Sequence, residues 1–283
     1  MRSLLLETGV VEDSVCVSQL ADATFEVCNA EGDSLFVAKL ISTVSAQEHW
    51  GIHGAHREAH RLGTLVQPVR WILQIDQGGI AILDWVDGVS LKEANREMLP
   101  RLFSALRDWH ESNRDLGSIF SPYTKDSYSC IAEFVEAETE IHCRNAGLTE
   151  IQSRAIDRLQ GLDYGFVTLL HGDVHPGNIL VNEDRLTLLD PEHVHCNVNL
   201  LDLDYVDLWE SPTAEAPWWS IAKYASACVD EYFKGCGLPA DQIQAAMQSV
   251  RLLTALRAVT NSLHYETGQT AGAIANLDAI LAS

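Results

Sequence analysis

Residues 170–192 read L-H-G-D-V-H-P-G-N-I-L-V-N-E-D-R-L-T-L-L-D-P-E, and the reading of this stretch organises the rest of the chain. The apolar runs Ile179 to Val181 and Leu186 to Leu189 have the length and composition of two short strands. Asn182-Glu183-Asp184 between them is turn chemistry, so the segment predicts a tight hairpin. Closing that hairpin brings Asn178, just before the first strand, beside Asp190, at the end of the second. Asp173 stands a few residues upstream. An amide oxygen and two carboxylates in one place suit a hard divalent cation that carries phosphates, which points to phosphoryl transfer.

Upstream of the hairpin the pattern changes twice. Residues 14–40 alternate with period two in three runs, S-V-C-V-S-Q-L, A-T-F-E-V-C and S-L-F-V-A-K-L, which predict an antiparallel meander ending near Lys39. Only five lysines occur in the chain, and Lys39 directly follows the apolar triplet Phe36-Val37-Ala38. Residues 46–65 predict a helix despite internal glycines, with Gly63 as a stop. That helix carries Glu58, 19 positions beyond Lys39, within reach of an ion pair if it packs across the sheet. Taken singly, Lys39 is equally a solvated strand edge and Glu58 a solvated helix charge.

Two more strands, Val69 to Asp76 and Ile80 to Trp85, precede D-W-V-D-G-V-S-L, where Gly88 permits a change of direction. Everything before this point reads as sheet plus one helix, and nearly everything after it as helix. The sequence therefore predicts an α+β chain of two lobes, 1–87 and 88–283. In the second, Pro100 to Asn113 places Leu102, Phe103, Leu106 and Trp109 at helical spacing, with its proline in the first turn. Residues 131–147 and 148–162 predict a helical pair. Further helices are predicted around 218–233, 240–265 and 270–281.

Composition narrows the function. Forty acids against nineteen bases give a net charge of −21, which opposes nucleic acid and anionic membrane as partners and favours a cationic ligand. A plain solubility role for the acidic surface is the competing account. Seven scattered cysteines, never in C-x-x-C spacing, predict reduced thiols and no structural zinc site. The first residues hold only a three-leucine run, and no apolar stretch approaches the roughly twenty residues of a membrane span, so a cytoplasmic protein is expected.

The motif H-G-D-V-H-P-G-N-I-L followed by L-L-D-P-E resembles the catalytic segment of the aminoglycoside phosphotransferase and choline kinase family, small-molecule kinases with a bilobal protein-kinase-like fold. The resemblance runs from the meander near residue 14 to at least Leu208. It implies an N-terminal lobe of antiparallel sheet plus one helix and a larger, mainly helical C-terminal lobe. It implies ATP and Mg as cofactors and transfer of the γ-phosphate to a hydroxyl of a small acceptor, by a monomer or weak homodimer. Asp173 is similar to the catalytic acid that takes or orients the hydroxyl proton, and His171 to the residue supporting its loop. Asn178 and Asp190 are similar to the magnesium ligands, Lys39 to the lysine on the α- and β-phosphates, and Glu58 to that lysine's partner. Residues Asp84, Trp85 and Val86 resemble the interlobe hinge whose backbone meets the adenine edge. Asp202 resembles the acid bracing the catalytic loop, with Asp204 as the alternative.

The chain departs from this pattern in one place. The turn over the phosphates reads Gln19-Leu20-Ala21-Asp22-Ala23-Thr24, without glycine, which predicts weakened nucleotide affinity. Pro-Glu follows Asp190, and no long activation segment precedes Asp202, as expected of an enzyme that is always open.

Two rival functions remain. H-x-D-x-H (His171, Asp173, His175) with H-V-H-C (His193, His195, Cys196) is a ligand set for a metal-dependent hydrolase. The glycine-free turn also fits a non-catalytic nucleotide or small-molecule binder. For the acceptor, Glu133, Glu136 and Glu140 share a helix face, as do carboxylates in a cleft for amines, and Trp209, Trp218, Trp219 and Tyr224 are candidates for a cation cage. An aminoglycoside, a peptide or nucleoside antibiotic, choline, ethanolamine and an amino sugar all fit.

Overall fold

The alternation in the first third of the chain becomes a five-stranded antiparallel sheet: β1 (Cys16–Ala21), β2 (Thr24–Cys28), β3 (Ser34–Ile41), β4 (Val69–Ile75) and β5 (Gly78–Asp84), in the order β1-β2-β3-β5-β4. The structure is a computed structural model that describes all residues except 13, 42–64, 77, 92–97, 115–130, 161–165, 184, 192–193, 204–229, 265–267 and 283. The helix expected over 46–65, with Glu58, therefore lies outside the described residues.

Period-two side chains divide the sheet into two apolar faces. Phe36, Ala38, Ile80 and Ile82 bury one face together with Val27 and Val15. Val37, Ala81 and Leu83 lie on the other with Val69 and Ile72. Lys39, opposite Ala81 in the register, has the parity of Val37 and so belongs to the second face. The first face is covered by a short helix, α1 (Arg2–Glu7), whose Leu5 is fully buried. This helix is not foreseen from M-R-S-L-L-L-E, because six residues are too few to display a helical period; docking by Leu5 holds it.

The sheet stops at Asp84, and the next strand, β6 (Val89–Ser90), belongs to a different three-stranded sheet with β8 (Ile179–Asn182) and β9 (Arg185–Leu188). Gly88 makes the crossing possible: a Cβ there would sit 2.9 Å from the Val181 carbonyl oxygen. The remaining described elements are mostly helical. They are α2 (Leu99–Ser112), α3 (Ile131–Asn145), α4 (Thr149–Gln160), α5 (Asp230–Phe233), α6 (Ala240–His264) and α7 (Thr270–Ala282). In α2 the predicted stripe Leu102, Phe103, Leu106 and Trp109 is buried, and Pro100 occupies the first turn, where its missing N–H costs nothing. A two-stranded ribbon of β7 (Val167–Leu170) and β10 (His195–Val198) flanks the hairpin, and β7 is a strand the sequence reading missed. No helix among the described residues is long and apolar enough to cross a membrane.

The large core of the helical part continues through Leu188 to Leu65 and Val66, just before β4. Backbone bonds follow the same path. Leu188 N–H donates to Leu65 O at 2.6 Å, and Gln67 N–H donates to Leu188 O at 2.7 Å. The hairpin is thus stitched to the foot of the N-terminal sheet.

Candidate active site

The loop that follows β7 is held from below by one carboxylate. Asp202, with no exposure, accepts the His171 N–H at Oδ2 and the Gly172 N–H at Oδ1, both at 2.8 Å. Gly172 has φ of 80°, the left-handed conformation that lets two successive N–H groups converge on that carboxylate. Oδ2 also meets His110 Nε2 at 2.9 Å. His110 Nδ1 lies 2.7 Å from the Tyr232 hydroxyl, and Asn199 Nδ2 donates to the same hydroxyl at 2.8 Å.

Only one proton arrangement satisfies this chain. The Asn199 amide donates to the Tyr232 hydroxyl, which donates to His110 Nδ1, and the His110 Nε2–H donates to Asp202. A protonated His110 would leave the buried Tyr232 hydroxyl hydrogen without an acceptor. Burial pushes the Asp202 carboxyl up, but the hydrogen bonds from His110 and from the His171 N–H outweigh it and leave the group below its ordinary value. Burial drives the Tyr232 hydroxyl well upward, so it remains a neutral donor.

His171 carries the bracing to the other end of the motif. Its buried ring donates Nε2–H to Leu189 O at 2.8 Å, while Nδ1 accepts the Asp173 N–H at 3.3 Å. Burial lowers its pKa, only partly offset by Asp202, so the ring is neutral. Both nitrogens are engaged, and neither is left for a metal, as the hydrolase reading would need.

The hairpin forms as its sequence predicts, with Ile179 opposite Leu188 and Asn182 opposite Arg185. One further rung, Leu189 N–H to Asn178 O at 2.7 Å, extends it and sets Asn178 and Asp190 side by side. Asp190 has φ of 61°, a conformation costing a non-glycine residue roughly 1–2 kcal/mol, which turns its carboxylate away from the strand direction. Asn178 Nδ2 donates to Asp173 Oδ2 at 2.7 Å. A carboxylate accepts only, so the amide nitrogen must face Asp173 and Asn178 Oδ1 is the atom left for another partner. An amide oxygen beside a carboxylate is a hard donor pair, and these residues fit a magnesium ion that takes its other ligands from phosphates and water. Asp173 itself is partly exposed, and His175 Nε2 lies 3.5 Å from its Oδ2.

Across from the hairpin, Lys39 Nζ forms an ion pair with Asp190 Oδ1 although 151 positions separate the two in the chain. Both line a cleft of about 320 Å3 between the sheet and the hairpin. Val37 and Leu83 line it from the sheet, Leu180 and Leu189 from the hairpin, and Trp85 and Val86 from the segment that follows β5. Asp84 differs from the expected hinge role. Its N–H donates to Pro68 O at 2.9 Å and its carbonyl accepts from Gln67 Nε2 at 2.8 Å, and it lines a separate hollow of about 260 Å3 with Asp87 and Arg185. Its side chain pairs with Arg70. The reason is local: the β4–β5 register continues through Pro68, and this consumes the Asp84 N–H.

The glycine-free turn closes β1 and β2 at Asp22 and Ala23 without any positive φ, and Gln19 Nε2 donates to Ala21 O at 3.2 Å and Asp22 O at 3.1 Å. Leu20, Ala21 and Thr24 reach the cleft. Glu58, Asp204, His193 and the cluster Trp209, Trp218, Trp219 and Tyr224 lie outside the described residues. Of the acidic face on α3, Glu140 pairs with Arg144 along its own helix. The sequence reading missed His110, Asn199, Tyr232 and Gln67. His110 at the polar end of the α2 stripe carried a faint signal, since it sits where an apolar residue would continue the helical pattern, and Asn199 opens N-L-L-D.

An antiparallel sheet joined to a helical body, with an acid, amide and acid at the junction, defines a bilobal protein-kinase-like fold. The chain belongs to the phosphotransferase enzyme family (APH), whose sequence profile matches residues 23–225. No curated protein sequence matches the chain. Among solved structures it is similar to the amicoumacin kinase hAmiN bound to AMP-PNP, Ca2+ and Ami, with 14% identity and a TM-score of 0.71, covering 99% of this chain and 92% of that one. It is also similar to a thermostable mutant of the aminoglycoside phosphotransferase APH(4)-Ia with ADP and hygromycin B, with 15% identity, a TM-score of 0.64 and coverage of 99% and 97%. A third is APH(3'')-Id from Streptomyces rimosus with ADP and streptomycin, with 16% identity, a TM-score of 0.56 and coverage of 89% and 97%.

Proposed function

We propose that the protein is an ATP-dependent kinase that phosphorylates a hydroxyl of a small, polar, cationic acceptor. The observation that carries this reading is the meeting of Lys39 with Asp190 in one cleft, which Asn178 also lines while bonded to Asp173. The adenine would lie between Leu83 and Leu180 against Trp85 and Val86, with the phosphates running toward Lys39.

Asp173 would accept or orient the proton of the acceptor hydroxyl. The hydroxyl oxygen forms a bond to the γ-phosphorus as the bond to the β-phosphate oxygen breaks, and ADP leaves with the electron pair. Asn178 keeps the Asp173 carboxylate aimed by its Nδ2 bond and would offer Oδ1, with Asp190, to Mg. When bound, that ion would offset charge on the phosphate oxygens. Lys39 would exchange Asp190 for the phosphates, keeping a charge-assisted bond in either state. Asp202 and His171 act through the backbone and fix the loop.

The net charge of −21 supports a cationic acceptor. Release of ADP with a panel of amine-bearing alcohols and antibiotics tests the reading. Expected is stimulation by at least one acceptor, with an apparent affinity that weakens as salt rises, and a drop of about 10^2–10^4 in turnover for Asp173→Ala at unchanged melting temperature. Equal turnover in that variant would refute the role, and a wild-type protein that binds ATP without ever turning it over would be a binder.

A further inference from the structure

We infer that Gln67 is a nucleobase-selecting residue that makes the cleft specific for a purine with a 6-amino group. This rests on the cleft being the nucleotide site, as proposed above. Gln67 is only 5% exposed, yet its side chain lines the cleft beside Leu83, Trp85 and Val86. Asp84, whose carbonyl the hinge comparison would offer to the base, is not part of that lining. Gln67 stands in its place. Its Nε2 donates to Asp84 O at 2.8 Å and so caps that carbonyl.

This hydrogen bond fixes which end of the amide is which. The Asp84 carbonyl can only accept, so the nitrogen must face it, and the group left over is the acceptor Oε1. Among the described residues Oε1 has no hydrogen-bond partner. The residue cannot easily swing away, because its own N–H is bonded to Leu188 O at 2.7 Å and the side chain is packed. A nearly buried, oriented acceptor in the lining of a largely apolar cleft favours a base that brings a donor. The 6-amino group of adenine does so, whereas the 6-oxo group of guanine would set oxygen against oxygen and leave both without a hydrogen. Selection against guanine then comes from repulsion as well as from a missing bond.

The experiment measures dissociation constants of ATP, GTP and purine riboside triphosphate, which lacks the 6-amino group, for wild type and for Gln67→Met. Methionine has similar length and no acceptor of comparable strength. Wild type is expected to bind ATP at least about tenfold tighter than either other nucleotide, and the variant to lose most of that ratio. A misfolded variant would weaken all three together and leave the ratio intact, so the ratio isolates the residue. Wild type that holds ATP and purine riboside triphosphate within twofold, or a variant with an unchanged melting temperature and an unchanged ratio, overturns the inference. Wild type that binds none of the three removes the nucleotide reading itself.

Discussion

Two polar clusters meet at the loop that follows β7 and are built on opposite plans. Beneath the loop, His110, Asp202, Tyr232 and Asn199 are buried or nearly so, and each of their side-chain polar atoms has a hydrogen-bond partner. Above it, in the cleft, Lys39 and Asp190 pair while keeping 15% and 31% of their side chains exposed, and Asp173 is also part-exposed. The lower cluster cannot change partners without stranding a buried group. The upper one can, since water and an incoming ligand replace what is lost. A rigid base beneath exchangeable pairs gives the loop fixed geometry and leaves the cleft able to change partners.

The sharpest way to break this contrast is Asp202→Ala. It strands the His171 and Gly172 N–H groups and His110 in the interior, and stability should fall by about 3–5 kcal/mol in urea unfolding. A loss under 1 kcal/mol would mean that the brace is not rigid. Tyr232→Phe removes only the hydroxyl joining His110 and Asn199, and about 1–3 kcal/mol should be lost by the same measurement.

His171 adds a dependence on pH. Its pKa is lowered in the fold by burial, so below the ordinary value of 6.5 the unfolded chain takes up a proton that the folded chain refuses. Stability should therefore be full above that value and decline as pH falls through it toward the folded pKa. Asp202, also lowered, extends the loss into the more acid range, below its ordinary 3.8. Thermal melting between pH 4 and 8 checks the first part, and His171→Gln should flatten it. The smallest effect on stability is expected for Lys39→Met, below about 1 kcal/mol because the pair is partly solvated. Its ATP dissociation constant should nevertheless rise about tenfold. A variant that destabilised the fold as much as Asp202→Ala would erase the distinction between the two clusters.

Much of the fold was legible because its signals are short in range. The alternation over 14–40 and the spacing of Leu102, Phe103, Leu106 and Trp109 report which face each side chain takes, and β1 to β3 and α2 appear where those patterns lie. The hairpin needed only two apolar runs and a turn. What stayed hidden is instructive. The α1 helix has too few residues to show a period, and β7, V-T-L-L, is too short a run to be told from a helix fragment. Asp84 was expected to present its backbone to a base. The continuation of the β4–β5 register to Pro68 uses its N–H, and Gln67 caps its carbonyl. No local pattern encodes that.

The sequence by itself determined which groups gather at the hairpin, since Asp173, Asn178 and Asp190 lie within 18 positions and their proximity follows from one turn. Only the tertiary structure decided that Lys39 meets Asp190 across 151 positions, that His110 supports Asp202 across 92, and that Gln67 lines the cleft. Local geometry is set by a few dihedral preferences that each residue type carries with it. Contacts at long range are set by the packing of whole elements, in which every side chain contributes a little and none announces its partner.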